Sequence, residues 1–203
     1  MQWFSKTILA TGYVLALLPV PAAMAAPERP VFVSIGPEAK PPIGWVQFCN
    51  DNAGECDAQG AARDVVLSSK TWSDLVRINR LVNDSIKPVT DLEHWGVVER
   101  WDYPNDGFGD CEDYVLLKRQ MLIKAGWPRS ALLVTVVRDK KDDGHAVLTV
   151  KTDRGEFVLD NQVESVVRWS DSGYRFVKRQ SQSNPNVWVA LGDPPATTTA
   201  SAR

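Results

Sequence analysis

A single cysteine stands among carboxylates in the stretch GDCEDY, where Cys111 follows Asp110 and precedes Glu112 and Asp113. A thiol attacks a substrate as the thiolate, and neighbouring negative charge opposes its ionisation. A nucleophilic Cys111 therefore requires compensating positive charge. The amino end of a helix and a nearby imidazolium both supply such charge, and we expect them to lower the pKa of this thiol.

The chain offers only two histidines as partners for the thiol. His94 lies in an irregular, charged segment, whereas His145 begins a predicted strand, and Asp160 stands near the end of the next one. An even-length turn around Asp153-Arg154 places His145 and Asp160 on one face of the hairpin, and an odd-length turn separates them. This arrangement predicts Cys111 as nucleophile, His145 as base and then acid, and Asp160 as the group that orients the imidazole. The alternative is an ordinary strand-end histidine and an inert helix cysteine.

The acids around the cysteine have two interpretations. Asp110, Glu112 and Asp113 are hard oxygen ligands, which suit Ca²⁺ better than zinc. A bound cation would also offset the repulsion that they impose on a thiolate. Alternatively, the three acids only cap the helix and favour its positive end. The spacing is not that of an EF-hand loop.

The two other cysteines lie close together in the polar segment FCNDNAGEC. Because an exported chain favours oxidised cysteines, Cys49 and Cys56 are candidates for a small disulfide ring, which leaves Cys111 as the free thiol. A zinc site is the competing interpretation. It is weak, because the spacing of the pair does not fit a zinc knuckle and the chain has two histidines.

The element that carries Cys111 is predicted to be a helix. Its apolar side chains share one face, the last turn contains a lysine, and Gly126 with Pro128 marks its end; the apolar positions are Tyr114, Leu117, Met121 and Leu122. Asp110 is then the residue at the N-cap position. The helix therefore begins at Cys111.

The residues before this helix are predicted to form one more helix and a long loop. Residues 71–86 have helical periodicity, with Thr71 and Asp74 resembling a capping box and Pro88 ending the helix. Residues 90–108 have no clean period and many turn-forming residues, which indicates a loop that leads to the site.

After the cysteine helix the pattern changes to alternating apolar residues bounded by turns. The predicted strands are ALLVTVVRD, HAVLTVKT, EFVLDNQ, YRFVKRQ and NVWVAL. Helices followed by an antiparallel sheet indicate an α+β domain.

The chain divides into four segments. Residues 1–25 resemble a signal peptide, with an apolar run and a small-residue cleavage site at Ala23 and Ala25, which predicts export to the periplasm. A retained anchor is the alternative, but Pro19 and Pro21 interrupt the run. We assign residues 26–42 to an extended lead-in, 43–192 to the folded domain and 193–203 to a disordered tail. A formal net charge of −2 argues against nucleic acid, and no second apolar run is long enough to span a membrane.

The motifs WDYPNDGFGDCEDY, DDGHAVL and FVLDN, in this order, resemble the bacterial transglutaminase-like cysteine proteinase family, which includes LapG-type periplasmic proteases. The similarity covers roughly residues 43–180. It implies a papain-like fold of the transglutaminase type, with the cysteine helix packed on an antiparallel sheet. It also implies a thiol endopeptidase with Cys111, His145 and Asp160 as catalytic residues.

The resemblance also implies a cofactor and partners. LapG-type members require Ca²⁺, and the acids flanking their cysteine take part, which carries over to Asp110, Glu112 and Asp113. Such members cleave a large surface adhesin near its N-terminus, at paired alanines, and so release biofilm. An inner-membrane receptor that senses a cyclic dinucleotide restrains them. The Cys49/Cys56 pair departs from the LapG pattern and indicates a separate branch.

Two features are left open by the sequence. The backbone N–H of Cys111 is a candidate oxyanion donor, with Gln47 or Trp45 as the second, although Gln47 is equally acceptable as a surface residue. The reaction is also open: the same triad supports acyl transfer to an amine, as in transglutaminases. A third hypothesis for the function is a non-catalytic, Ca²⁺-dependent binding module.

Overall fold

The structure is a computed structural model, and it describes Met1, residues 31–58 and residues 60–192. The predicted signal peptide, apart from Met1, and the predicted tail 193–203 lie outside the described residues. Within the described part, no helix has both the length and the apolar character needed to cross a bilayer.

Within the described residues, four α-helices lie between the first strand of the large sheet and the next one along the chain. They are α1 (Ile43–Asp51), α2 (Ser69–Ser85), α3 (Asp91–Trp95) and α4 (Cys111–Lys124), with short 3-10 turns at Ala53–Glu55, Arg129–Ala131 and Trp169–Asp171. Helix α4 begins at Cys111 as predicted, and Gly126, just beyond its end, has a left-handed φ of 90°. Glycine adopts that conformation without strain, which explains why the helix stops there.

Helix α2 begins earlier than predicted. Its N-cap is Ser68, whose side chain accepts from the Thr71 N–H while the Thr71 side chain accepts from the Ser68 N–H. The capping box therefore pairs Ser68 with Thr71, and the predicted pair of Thr71 and Asp74 was wrong. Asp74 instead forms ion pairs with Lys70 and Arg77 on the exposed side of the helix.

The strands form one seven-stranded antiparallel sheet and one short parallel pair. In chain order they are β1 (Ser34–Ala39), β2 (Lys87–Pro88), β3 (Phe108–Gly109), β4 (Leu132–Arg138), β5 (Gly144–Thr152), β6 (Gly155–Leu159), β7 (Val167–Arg168), β8 (Arg175–Gln180) and β9 (Trp188–Gly192). The large sheet has the order β1-β9-β8-β4-β5-β6-β7. Strand β1 lies within the segment assigned to the lead-in and pairs with β9.

Both faces of the sheet are covered. On one face α4 packs on β5 and α2 packs on α4, and the core between them includes Leu116, Leu122, Leu148 and Val150. On the other face a smaller core includes Val147, Val158, Trp169 and Phe176. The result is an α+β fold with the cysteine helix on an antiparallel sheet, as the sequence predicted.

Part of the segment predicted as a loop is regular structure. Helix α3 occupies Asp91–Trp95, where Thr90 and Glu93 form a capping box. Strands β2 and β3 pair in parallel, with Lys87 beside Phe108 and Pro88 beside Gly109. This pairing fixes the end of α2 next to the residues that lead into Cys111.

Candidate active site

Cys111 lies at the first position of α4, next to β5. Burial raises the pKa of the Cys111 thiol, and the backbone N–H of Ala146, the residue after His145, opposes that rise. Asp110 stands at the N-cap position, but its side chain makes no capping hydrogen bond, and only its carbonyl accepts from the Tyr114 N–H. The acid before the cysteine therefore does not serve as the helix cap.

His145 and Asp160 are in direct contact. The hairpin pairs Thr152 with Gly155, so the turn is the two-residue Asp153-Arg154 turn that places both side chains on one face. The His145 Nε2 lies 2.8 Å from the Asp160 Oδ1, and both side chains are only 2% exposed. An ionised Asp160 accepts the Nε2 proton, which leaves Nδ1 of the neutral imidazole as a hydrogen-bond acceptor.

Two residues that the sequence analysis did not identify complete the surroundings of Asp160. The Tyr174 hydroxyl donates to the Asp160 Oδ2 at 2.5 Å, and the Tyr174 ring stands edge-on to the His145 ring. The Gln162 N–H donates to the Asp160 Oδ1 at 3.0 Å, and the Gln162 side-chain Nε2 lies 3.5 Å from the His145 Nδ1. The Gln162 contact is an Asx-turn, which an aspartate at the end of a strand could have suggested. Tyr174 directly precedes β8, and no local signal in the sequence indicates that it contacts Asp160.

These contacts keep Asp160 ionised although it is buried. Burial alone raises the pKa of a carboxyl group. The hydrogen bonds from His145 and Tyr174 outweigh burial and hold the pKa of Asp160 below its ordinary value. Asp160 is therefore a carboxylate that faces the imidazole at neutral pH.

The pKa of the Cys111 thiol differs from the one that the sequence predicted. Burial, followed by the Glu112 carboxylate, raises the pKa of the Cys111 thiol well above its ordinary value. The sulfur donates to the Glu112 Oε2 at 3.1 Å. The prediction of a lowered thiol pKa does not hold, because loss of solvent and an adjacent carboxylate outweigh the helix end.

The acids beside the cysteine form a buried cluster. Asp110, Glu112 and the Cys111 sulfur lie within 4.8 Å of one another, and Asp91, which the sequence analysis missed, joins Asp110 and Asp113 within the same distance. Burial, with the charge of Asp110, raises the pKa of Glu112 to about 9 and that of Asp113 to about 8.

This cluster fits a hard divalent cation. Several carboxylates held together away from water repel one another, and a cation that binds oxygen ligands relieves that repulsion. Asp110 has one buried carboxylate oxygen without a hydrogen-bond partner among the described residues. Asp113 is fixed by the Asp102 N–H, which donates to its Oδ1 at 2.9 Å. The donor set of Asp110, Glu112 and Asp113, with Asp91, is therefore suitable for Ca²⁺.

The candidates for the second oxyanion donor, Trp45 and Gln47, lie on helix α1. Trp45 is 1% exposed and packs against Phe48, Trp101 and Trp188 in the core. The Trp45 Nε1 has no hydrogen-bond partner among the described residues, so Trp45 stays a candidate donor. Gln47, on the same helix, is exposed and lines a surface cavity with Trp101.

The remaining cysteines are joined to each other. Cys49 and Cys56 form a disulfide with a Cα–Cα distance of 5.7 Å, and Cys111 is the free cysteine among the described residues. The other histidine, His94, binds Asp106 through its Nε2 at 2.9 Å. Of the two histidines, His145 is the one whose chain neighbour, Ala146, has a backbone N–H that acts on the Cys111 sulfur.

Comparisons with known proteins identify the family. A search of curated proteins found no match. Among solved structures, calcium-bound LapG of Legionella pneumophila matches with a TM-score of 0.50 and 22% identity, covering 61% of this chain and 72% of that chain. EGTA-treated LapG of the same organism matches with a TM-score of 0.49 and 21% identity, covering 63% and 74%. The calcium-bound match indicates a shared fold. The model of the bacterial transglutaminase-like cysteine proteinase family matches residues 35–196, and the chain belongs to this family of cysteine peptidases.

Proposed function

We propose that this protein is an exported, Ca²⁺-dependent thiol endopeptidase with Cys111, His145 and Asp160 as its catalytic residues. The observation that carries the proposal is the buried His145–Asp160 hydrogen bond of 2.8 Å. Cys111 is the free cysteine among the described residues and begins helix α4, and the backbone N–H of Ala146, the residue after His145, acts on its sulfur. The chain's membership of a cysteine peptidase family supports the same chemistry.

The proposed reaction has two stages, formation of an acyl-enzyme and its hydrolysis, and the same catalytic residues act in both. His145 Nδ1 takes the proton of the Cys111 thiol, and the thiolate attacks the carbonyl carbon of the scissile peptide. The backbone N–H of Cys111 is the proposed donor to the oxyanion that forms. The imidazolium then gives its proton to the leaving amine, and the acyl-enzyme is hydrolysed by water that His145 deprotonates. Asp160 remains ionised throughout and holds the Nε2 proton.

Asp110 and Glu112, with Asp113 and Asp91, are the proposed ligands of Ca²⁺. Bound there, the cation would supply positive charge that offsets the carboxylates beside the thiol. The cation would affect the reactivity of the thiol because its proposed ligand Glu112 contacts Cys111: the Cys111 sulfur lies 3.1 Å from the Glu112 Oε2. When Glu112 serves as a cation ligand, its charge no longer opposes ionisation of the thiol to the same extent.

The substrate and location follow from the resemblance. We propose that the protein acts in the periplasm after removal of residues 1–25, and that it cleaves a large cell-surface adhesin near its N-terminus. An inner-membrane receptor for a cyclic dinucleotide is the proposed regulatory partner. Support for a protein substrate comes from the cysteine peptidase family.

The test compares the wild-type protein with Cys111→Ala and Cys111→Ser. Each is incubated with peptides derived from adhesin N-terminal regions that contain paired alanines, in Ca²⁺ or in EGTA, with an amine present. Mass spectrometry should detect new termini only with the wild-type protein in Ca²⁺, and amine-linked products would instead indicate acyl transfer. Undiminished cleavage by Cys111→Ala would refute the assignment of the nucleophile.

A second measurement separates an enzyme from a Ca²⁺-binding module. Iodoacetamide should alkylate Cys111 faster in Ca²⁺ than in EGTA, because the cation would offset the carboxylate charge that opposes formation of the thiolate. A non-catalytic binding module does not need a reactive thiolate. The disulfide keeps Cys49 and Cys56 out of the reaction, so the rate reports on one thiol. A thiol that does not react in either condition would favour the binding module.

A further inference from the structure

Helix α2 carries a buried polar side chain on its apolar face. Leu75, Ile78 and Val82 of this helix are buried in the core, and Asn79 among them is 0% exposed. An amide buried in an apolar face is costly unless its polar atoms are hydrogen-bonded. The contacts of Asn79 therefore indicate why an asparagine stands at this position.

Both polar atoms of the Asn79 side chain bind the main chain beyond β6. The Asn79 Oδ1 accepts from the Asp160 N–H at 3.1 Å, and the Asn79 Nδ2 donates to the Glu164 carbonyl at 2.9 Å. One turn later, the Asn83 Nδ2 donates to the Asp160 carbonyl at 2.9 Å. Two asparagines at i and i+4 on one helix thus hold both backbone polar groups of Asp160.

The sheet itself does not provide this support. Strand β6 ends at Leu159, and its pairing with β5 ends at the Leu148–Leu159 pair. Asp160 is therefore the first residue beyond the strand, where backbone groups need other partners. Its carboxylate must nevertheless meet the His145 ring at 2.8 Å.

We propose that Asn79 and Asn83 are positioning residues that fix the main chain of Asp160 and thereby set the hydrogen bond between Asp160 and His145. This inference rests on the proposed function, in which His145 and Asp160 activate Cys111. Misplacement of a catalytic group by about 1 Å can reduce reactivity by about a hundredfold. The asparagines act through Asp160 and need not contact substrate.

The test measures the rate at which iodoacetamide alkylates Cys111 in Ca²⁺. Asn79→Leu, which keeps the branched shape of the side chain and removes both hydrogen bonds, should lower the rate by about tenfold to a hundredfold. Asn83→Ala, at a half-buried position, should lower it in the same direction. Ile78→Val is the matched control, because it weakens the packing of the same helix without touching Asp160, and it should leave the rate of the folded protein unchanged.

A double-mutant cycle with Asp160→Asn distinguishes positioning from general stability. If Asn79 acts through Asp160, Asn79→Leu should slow alkylation in the wild-type background but by less than about twofold in the Asp160→Asn background. An equal reduction in both backgrounds overturns the proposal. If Asn79→Leu does not fold, the same cycle is completed with Asn83→Ala.

The outcomes for the two proposals are separable. Wild-type alkylation that Asp160→Asn does not slow would overturn the proposed catalytic role of Asp160. Slowing by Asp160→Asn, without slowing by Asn79→Leu or Asn83→Ala, would overturn only the positioning role. As a direct readout, the Nε2 proton resonance of His145 should shift in Asn83→Ala and should not shift in Ile78→Val.

Discussion

Replacing Tyr174 by phenylalanine removes one hydrogen bond to a buried carboxylate and leaves the ring in place. The Tyr174 hydroxyl donates to the Asp160 Oδ2 at 2.5 Å, and the Asp160 side chain is 2% exposed. A hydrogen bond to a charged group contributes about 1.5–3 kcal/mol. We therefore expect Tyr174→Phe to lower the free energy of unfolding at pH 7 by about 2 kcal/mol, or the melting temperature by about 4–8 °C for a domain of this size.

The loss should depend on pH in a defined direction. The folded-state pKa of Asp160 lies below the ordinary value of 3.8, so its ionisation contributes stability that is present above pH 3.8 and is lost as pH falls through the folded pKa. Tyr174→Phe raises that folded pKa by removing a donor to the ionised form. The difference between the two proteins should therefore be largest near pH 7 and should shrink as the pH is lowered below 5.

Urea denaturation at pH 7, 5 and 4 measures this difference. Tyr114→Phe is the matched control, because the Tyr114 hydroxyl donates to the Ile86 carbonyl at 2.7 Å, and a carbonyl does not titrate. Its loss of about 1 kcal/mol should be the same at each pH. A Tyr174→Phe difference that is constant over this range, like that of the control, would show that the tyrosine does not stabilise the ionised Asp160.

Three further variants test other parts of the structure. Lys118→Met should raise the free energy of unfolding by about 1 kcal/mol or more, because the Nζ of this buried lysine has no hydrogen-bond partner among the described residues. The gain should be larger at pH 6 than at pH 9, since burial lowers the pKa of Lys118 to about 7; urea denaturation at both pH values checks this. The double change Cys49→Ser and Cys56→Ser should cost about 2.5 kcal/mol in the same measurement, without slowing alkylation of the free thiol. Gly109→Ala should weaken Ca²⁺ binding by about tenfold or more in calorimetry, since the new Cβ would lie 2.6 Å from the Asp113 Oδ2; unchanged affinity would exclude Asp113 as a ligand.

The parts of the fold that depend on local signals were predictable from the sequence. Helix α4 has a clear period and a glycine end, and its first residue is Cys111 as predicted. The sequence permitted the His145–Asp160 contact without requiring it, and the two-residue turn that the structure has is one of the turn lengths that place both side chains on one face. Helix α3 was missed because five residues carry too few periods, although Thr90 and Glu93 form a capping box there.

The parts that depend on tertiary contact were not predictable. Tyr174 and Asp91 reach the site from elements distant from Cys111 in sequence, and spacing within the GDCEDY motif gives no indication of either. The pKa of Cys111 was predicted in the wrong direction because its main cause is burial, which depends on packing. A helix end is visible in the sequence, whereas the loss of solvent around one sulfur is not.

Helix α2 supports both Cys111 and Asp160, because the parallel pairing of β2 with β3 joins the end of α2 to the residues before Cys111. The end of α2 continues directly into Lys87–Pro88, which pairs with Phe108–Gly109 just before Cys111, while Asn79 binds the Asp160 N–H. Transient unfolding of α2 would therefore release the residues before Cys111 and the main chain of Asp160 together, while the seven-stranded sheet remains folded. Hydrogen exchange at the Asp160 amide should follow the opening of this helix, and inactivation on heating should precede the melting of the strands.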